Sequence, residues 1–212
     1  MLLARSVVLL CAVTAVTAQA GRPLAVDDAD VDDKGTGHVE AWYARQPGKA
    51  DTWTVAPAFA PIDNLELSAQ VSRDTSAALT TQTLQAKWRI TPAQESGCNV
   101  GATLGVSRIR TLGGDAPYLN GLLTCQMKQG AVHLNAGWVR PTGGPGVPTW
   151  GAAYERNAGS VGWHVEAFGQ RGARPTFQAG LKTQLTPRFQ LDGSVGRNHG
   201  ETLFSIGVKA DF

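Results

Sequence analysis

The chain has 212 residues, a formal net charge of +2 and a mean hydropathy of -0.13. That length suits one β domain of barrel or sandwich size, the near-neutral charge gives no footing for nucleic acid, and no stretch beyond residue 20 is apolar enough for a transmembrane helix. If the chain enters a membrane, it must do so as a closed barrel, because no other strand architecture hides every backbone polar group from lipid.

Residues 1–20 read as a secretory signal peptide: Arg5, an apolar run from Ser6 to Ala18, then Ala18-Gln-Ala20. Cys11 follows Leu10 rather than a small residue, which argues against a lipoprotein anchor. Removing Arg5 takes the formal charge from +2 to +1. Residues 21–36 are acidic, lack an apolar period and read as a solvated or loosely docked N-terminal periplasmic segment. Asp28, Asp30 and Asp32 resemble the opening of a calcium loop. Asp33 stands where that loop needs Gly, however, and Val39 where it ends in Glu, so no metal site is expected.

From residue 37 onward the pattern predicts an outer-membrane β-barrel, all-β, antiparallel and up-and-down. Its twelve strands cover roughly 38–45, 52–60, 64–73, 80–91, 97–110, 117–127, 131–140, 148–156, 160–170, 175–185, 188–197 and 201–212. Most lie near the ~9–11 residues that a tilted strand needs to cross a bilayer. Turn residues separate them, as in Gly113-Gly114-Asp115 and Asn198-His199-Gly200. Successive side chains of a strand point to opposite faces. One parity is apolar throughout: Trp53, Val55, Pro57 and Phe59 begin it, and Leu84, Ala86, Trp88 and Ile90 continue it. No Asp, Glu or Lys falls on that face, where a midplane Lys or Arg would cost ~2–4 kcal/mol. Pro57 is its awkward member, since it removes a ladder donor. A secreted sandwich or lipocalin-like barrel would show the same alternation, but not the aromatic residues gathered near strand ends.

The other parity is polar and lines the lumen. Rough register places Glu66 near Lys87, His133 near Glu155, and Lys182 near Asp192 with Glu166 adjacent; His164 joins this group. Such pairs neutralise one another in a narrow lumen, or form a ring that tunes what passes. Inward glycines, among them Gly101, Gly105 and Gly151, leave space or let the strands curve.

With both termini periplasmic, Cys98 and Cys125 fall opposite each other at the periplasmic end of one hairpin, which predicts a disulfide. Arg73, Arg108, Arg140 and Arg197 sit at outward strand ends with lipid-facing parity. Guanidinium forks suit phosphate, so these four are candidates for contact with lipopolysaccharide. The four histidines, His38, His133, His164 and His199, form no recognisable triad with serine, and Asp192-Gly-Ser194-Val-Gly misses the hydrolase elbow by one position. No catalytic residue or cofactor is expected, and a barrel-embedded hydrolase is the rival from another class.

Two stretches carry resemblances. The closing stretch, with Phe204, Gly207, Val208, Ala210 and Phe212, looks like the last strand of Gram-negative outer-membrane barrels, whose terminal Phe is read by the barrel assembly machinery. Arg22-Pro-Leu-Ala-Val-Asp27-Asp28-Ala29, with Glu40-Ala-Trp42-Tyr43, is similar to the start of a family of proteobacterial outer-membrane transporters associated with the meta-cleavage pathway of phenol degradation. That resemblance implies an outer-membrane barrel passing small, aromatic solutes and supplies no functional residue. The expectation is therefore a narrow channel or passive transporter in the outer membrane, contacting lipid and lipopolysaccharide. The alternative is a closed structural barrel without transport.

Overall fold

A computed structural model describes residues 24–46, 50–94, 96–111 and 113–212; the signal peptide read over residues 1–20 lies outside them. Twelve strands follow in chain order: β1 (Gly37–Gln46), β2 (Ala50–Ile62), β3 (Leu65–Asp74), β4 (Leu79–Arg89), β5 (Gly97–Ile109), β6 (Asp115–Met127), β7 (Gly130–Val139), β8 (Val147–Ala158), β9 (Val161–Gln170), β10 (Thr176–Thr186), β11 (Phe189–Asn198) and β12 (Glu201–Asp211). Each pairs antiparallel with its sequence neighbours, and β12 returns to β1 to close the barrel. In that seam His38 faces Asp211 and Arg45 faces Phe204. The last residue extends it, with the Gly37 amide donating to the Phe212 carbonyl at 3.1 Å and the Phe212 amide to Gly37 at 2.9 Å. Closure leaves no edge strand.

The two-residue period sets the two faces. Trp53, Leu84, Leu104, Phe177 and Leu181 are among the large apolar side chains on the outer surface, with Leu84 and Leu104 each 63% exposed. Polar side chains such as Thr103, Thr124, His133 and His164 are buried inside. A soluble protein would invert this arrangement, because burial of apolar area is its main source of stability. Aromatic side chains cluster outside near both rims: Tyr43 packs on Trp53 and Phe204 near one, and Tyr154 on Trp163 near the other. Pro57 faces outward in β2; it pairs with Val39 of β1, while the partnered positions toward β3 pass from Val55–Val71 to Ala58–Ser68. Cys98 and Cys125 are opposed in the β5–β6 register and joined by a disulfide. The tight turn between β11 and β12 puts His199 and Gly200 at φ 51° and 83°, the primed geometry that matches strand twist.

One expectation is overturned. The acidic stretch before β1 is not solvated or loosely docked: residues 24–33 run inside the barrel as irregular chain, with Leu24, Val26, Asp27 and Ala29 buried. It descends from mid-lumen, beside β9, to the mouth that holds the start of β1. There Gly35, at φ 83°, turns it outward, and its amide donates to Ala60 at 2.8 Å. The physical reason is the polar lumen itself. A segment too poor in apolar residues to build a core can still be buried where the wall satisfies its main chain.

Candidate functional site

The site is the lumen and the segment in it. Taking that segment in order, the Ala25 amide donates to both carboxylate oxygens of Glu166 on β9, at 3.1 and 2.9 Å, and the Val26 amide to one of them at 2.8 Å. The Asp27 amide donates to Asn135 Oδ1 at 2.7 Å, and Asn135 Nδ2 donates back to the Asp27 carbonyl at 2.7 Å. The Ala29 amide meets Thr124 Oγ1 at 2.8 Å, and the Asp32 amide meets Glu66 at 3.1 Å. Two wall glycines admit the chain at its closest approaches. A Cβ on Gly151 would lie 2.9 Å from Val26 Cγ2, and one on Gly101 would lie 3.4 Å from Ala29. Gly101 and Gly151 thus make room for the segment, while Gly105 makes room for the Tyr118 ring.

Lys87 of β4 is the electrostatic centre. Its ammonium lies 2.8 Å from Asp27 and 3.3 Å from Asp28, and donates to the Asp30 carbonyl at 3.2 Å. Thr103 also donates to Asp27, and Asn99 to the Asp30 carboxylate. Complete burial outweighs the pull of Lys87 and pushes the Asp27 carboxyl up to about 7. Burial would also raise Asp28, but the ammonium of Lys87 holds it below its ordinary value. Burial raises Asp30. At the mouth burial acts against Asp32 too, yet its 2.7 Å contact with His38 Nδ1 keeps it low. The three aspartates that resemble a calcium loop therefore point to different wall partners rather than to one ion. Asp32, His38 and Glu66 do place one potential ligand atom each within 4.8 Å of one another; the His38–Asp32 hydrogen bond accounts for part of that closeness.

The predicted charge pairs are placed as follows. Glu66 and Lys87 are opposed in register, as expected, although the ammonium is engaged with the segment. His133 lies 3.5 Å from Glu155. Thr124 Oγ1 accepts from the Ala29 amide and also lies 2.9 Å from His133 Nδ1. Lys182 is opposed to Asp192 in register, but its ammonium reaches Glu155 at 2.6 Å. Gly162 of β9 explains this: it leaves the space across which Lys182 lies. Glu166 is committed to the segment and to Gln178, with His164 3.6 Å away. Asn135, Thr124, Asn99 and Thr103 are the functional residues that the sequence reading missed as a set.

Among the described residues, spaces lie on two sides of the segment. One of about 150 Å³ lies between it and the β1–β4 wall, lined by Asp28, Asp30, Glu40, Glu66, Lys87 and Lys209 among others. The second, of about 50 Å³, touches Val26, Tyr118, Asn135 and Phe168. Small-molecule sites enclose about 300–1,000 Å³, so with the segment in place neither takes more than ions and water. The four rim arginines are exposed at the opposite end. Arg108 forks Asp115 at 2.7 and 2.9 Å, while Arg73 and Arg197 donate to carbonyls of their own turns.

The model of a family described as "Uncharacterised conserved protein UCP029691" matches residues 7–206. Among solved structures the chain is similar to the KdgM porin, at TM-score 0.70 and 13% identity over 82% of this chain and 99% of that one. It is similar to the NanC porin, at TM-score 0.64 and 10% identity, covering 82% and 98%. It also resembles the COG4313 outer membrane channel from Pseudomonas putida F1, at TM-score 0.60 and 13% identity, covering 87% and 98%. At these identities the likeness is one of fold. No curated protein matches the chain in sequence.

Proposed function

This chain belongs to the family of Uncharacterised conserved protein UCP029691, and we propose that it is an outer-membrane channel for small solutes whose lumen is occupied at rest by residues 24–33. One observation carries the reading. The lumen is wide enough to hold a length of main chain, and the wall meets that chain with polar side chains rather than filling the space itself. Twelve-stranded closure lies between barrels packed solid by their own side chains and wide porins. Its apolar outside with aromatic rims is what an outer membrane requires. Porins and an outer-membrane channel share its fold.

The same segment supports a second reading, a closed barrel that contacts lipid and conducts nothing. The embedded hydrolase is weaker: the polar chain Thr124–His133–Glu155 lies beneath the segment, with the threonine hydroxyl already bonded to Ala29. The exposure of Arg73, Arg108, Arg140 and Arg197 supports contact with lipopolysaccharide phosphates, and among the described residues Arg108 has a carboxylate partner in Asp115. The meta-pathway resemblance adds small aromatics to the solutes worth trying.

Planar-bilayer recording of the refolded chain tests the choice. A channel gives small, intermittent currents that grow when Ala29→Leu pushes the segment off Gly101. Silence from both proteins, with strand content intact by circular dichroism, favours the closed barrel.

A further inference from the structure

The wall does more than surround residues 24–33; it reads their main chain. Glu166 accepts two successive amides, and Asn135 closes two hydrogen bonds with the amide and carbonyl of Asp27, as a neighbouring strand would. Thr124 and Glu66 take the Ala29 and Asp32 amides. None of these contacts depends on a side chain of the segment, so any peptide that follows the same irregular course offers the same groups. Side-chain selectivity comes from Lys87, whose ammonium faces Asp27 and Asp28, with Asn99 donating to Asp30. The apolar hold is slight by comparison: Leu24 and Val26 cluster with Ala153 and Phe168. The segment is therefore kept largely by polar contacts, and a competitor of the same chemistry can remake each of them.

Resting on the channel reading, we propose that the lumen is a binding site for short acidic peptides, and that residues 24–33 are its resident occupant, which such a peptide displaces. A neutral peptide retains the main-chain contacts and loses those to Lys87. A basic peptide sets a second cation against the same ammonium and is excluded.

The test uses the full-length chain carrying Ala29→Leu, because Ala29 is fully buried against Gly101 and a larger side chain has no room there. A fluorescent, end-capped peptide with the sequence of residues 25–31, Ala-Val-Asp-Asp-Ala-Asp-Val, is titrated into the protein in detergent and followed by anisotropy. At pH 5, where Asp28 is ionised and the buried Asp27 carboxyl is still protonated, the acidic peptide should bind about tenfold or more tightly than a counterpart with Asn in place of Asp28, the weight of a hydrogen bond to a charged group. The Lys-for-Asp peptide should not bind. Adding Lys87→Gln should remove the preference for Asp over Asn while weak binding persists. If Ala29→Leu does not fold, the native chain serves. Saturating acidic peptide should then speed hydrogen exchange at the amides of Ala25, Val26, Asp27 and Ala29 and leave the strand ladder protected. Equal affinity for the three peptides, no binding, or unchanged exchange would overturn the proposal. So would an acidic oligosaccharide that displaces the segment where the peptide does not. Specific peptide binding without ionic current would overturn the channel reading alone.

Discussion

The barrel wall and the segment it encloses are buried by opposite means. Each strand of the wall is bonded on both sides and held in a closed ladder, with its apolar face turned to the exterior. The segment has no ladder. Side chains of four strands, β3, β6, β7 and β9, satisfy its amides, and its apolar cluster is small. A closed ladder opens only as a whole, whereas individually made polar contacts can be exchanged for equivalent ones. One molecule therefore contains a rigid frame and a removable occupant.

The largest effect that separates the two is expected at Lys87. Lys87→Met leaves Asp27 and Asp28 buried without their cation, and breaking such a pair costs about 3–5 kcal/mol. That loss should fall on the segment: amide exchange at residues 25–29 becomes fast while the barrel keeps its strand content by circular dichroism. A wall that unfolds together with the segment would break the comparison. From the other side, Leu104→Arg puts a cation on the exposed lipid face, at a cost of ~2–4 kcal/mol. Urea titration in vesicles should show a weaker barrel, with exchange in the segment unchanged at low urea. Asn135→Ala removes both bonds to the Asp27 main chain and should cost about 1–3 kcal/mol of docking. Exchange at the Asp27 amide reports it.

The smallest effect is with pH. Asp27 carries a carboxyl pushed up to about 7 when docked, against its ordinary 3.8. Its protonated form is thus favoured by docking, so this contribution is full below pH 3.8 and fades as pH rises toward 7. Asp28 and Asp32, held low in the docked segment, act with the opposite sign and lose their contribution only in stronger acid. Occupancy of the lumen should therefore fall between pH 4 and pH 7, as followed by exchange at the Val26 amide. Occupancy that rises over that interval would contradict the burial of Asp27.

What was legible in the sequence follows the same division. A period of two fixes which face each strand residue takes, and antiparallel hairpins fix which residues oppose. Strand ends therefore agree within two residues, and Cys98–Cys125, Glu66–Lys87 and the β1–β12 seam were readable in advance. The reach of a long side chain is not periodic. Lys182 crosses Gly162 to Glu155, a contact no register rule supplies. The segment was hidden for a deeper reason. Residues 24–33 have neither a period nor enough apolar area to suggest burial, and their partners lie on distant strands. The signal that could have exposed them was the wall: Gly101 and Gly151 inside a barrel, beside inward Asn99, Thr103, Thr124 and Asn135.

The most direct test of a removable occupant is a reversible lock. A Cβ at Gly101 would stand 3.4 Å from that of Ala29, close to the separation a disulfide uses. Ala29→Cys with Gly101→Cys, in a chain whose Cys98 and Cys125 are replaced by serine, fastens the segment to β5 when oxidised. Single-channel recording should find the oxidised protein silent and the reduced protein conducting. Identical records in the two states would contradict the account.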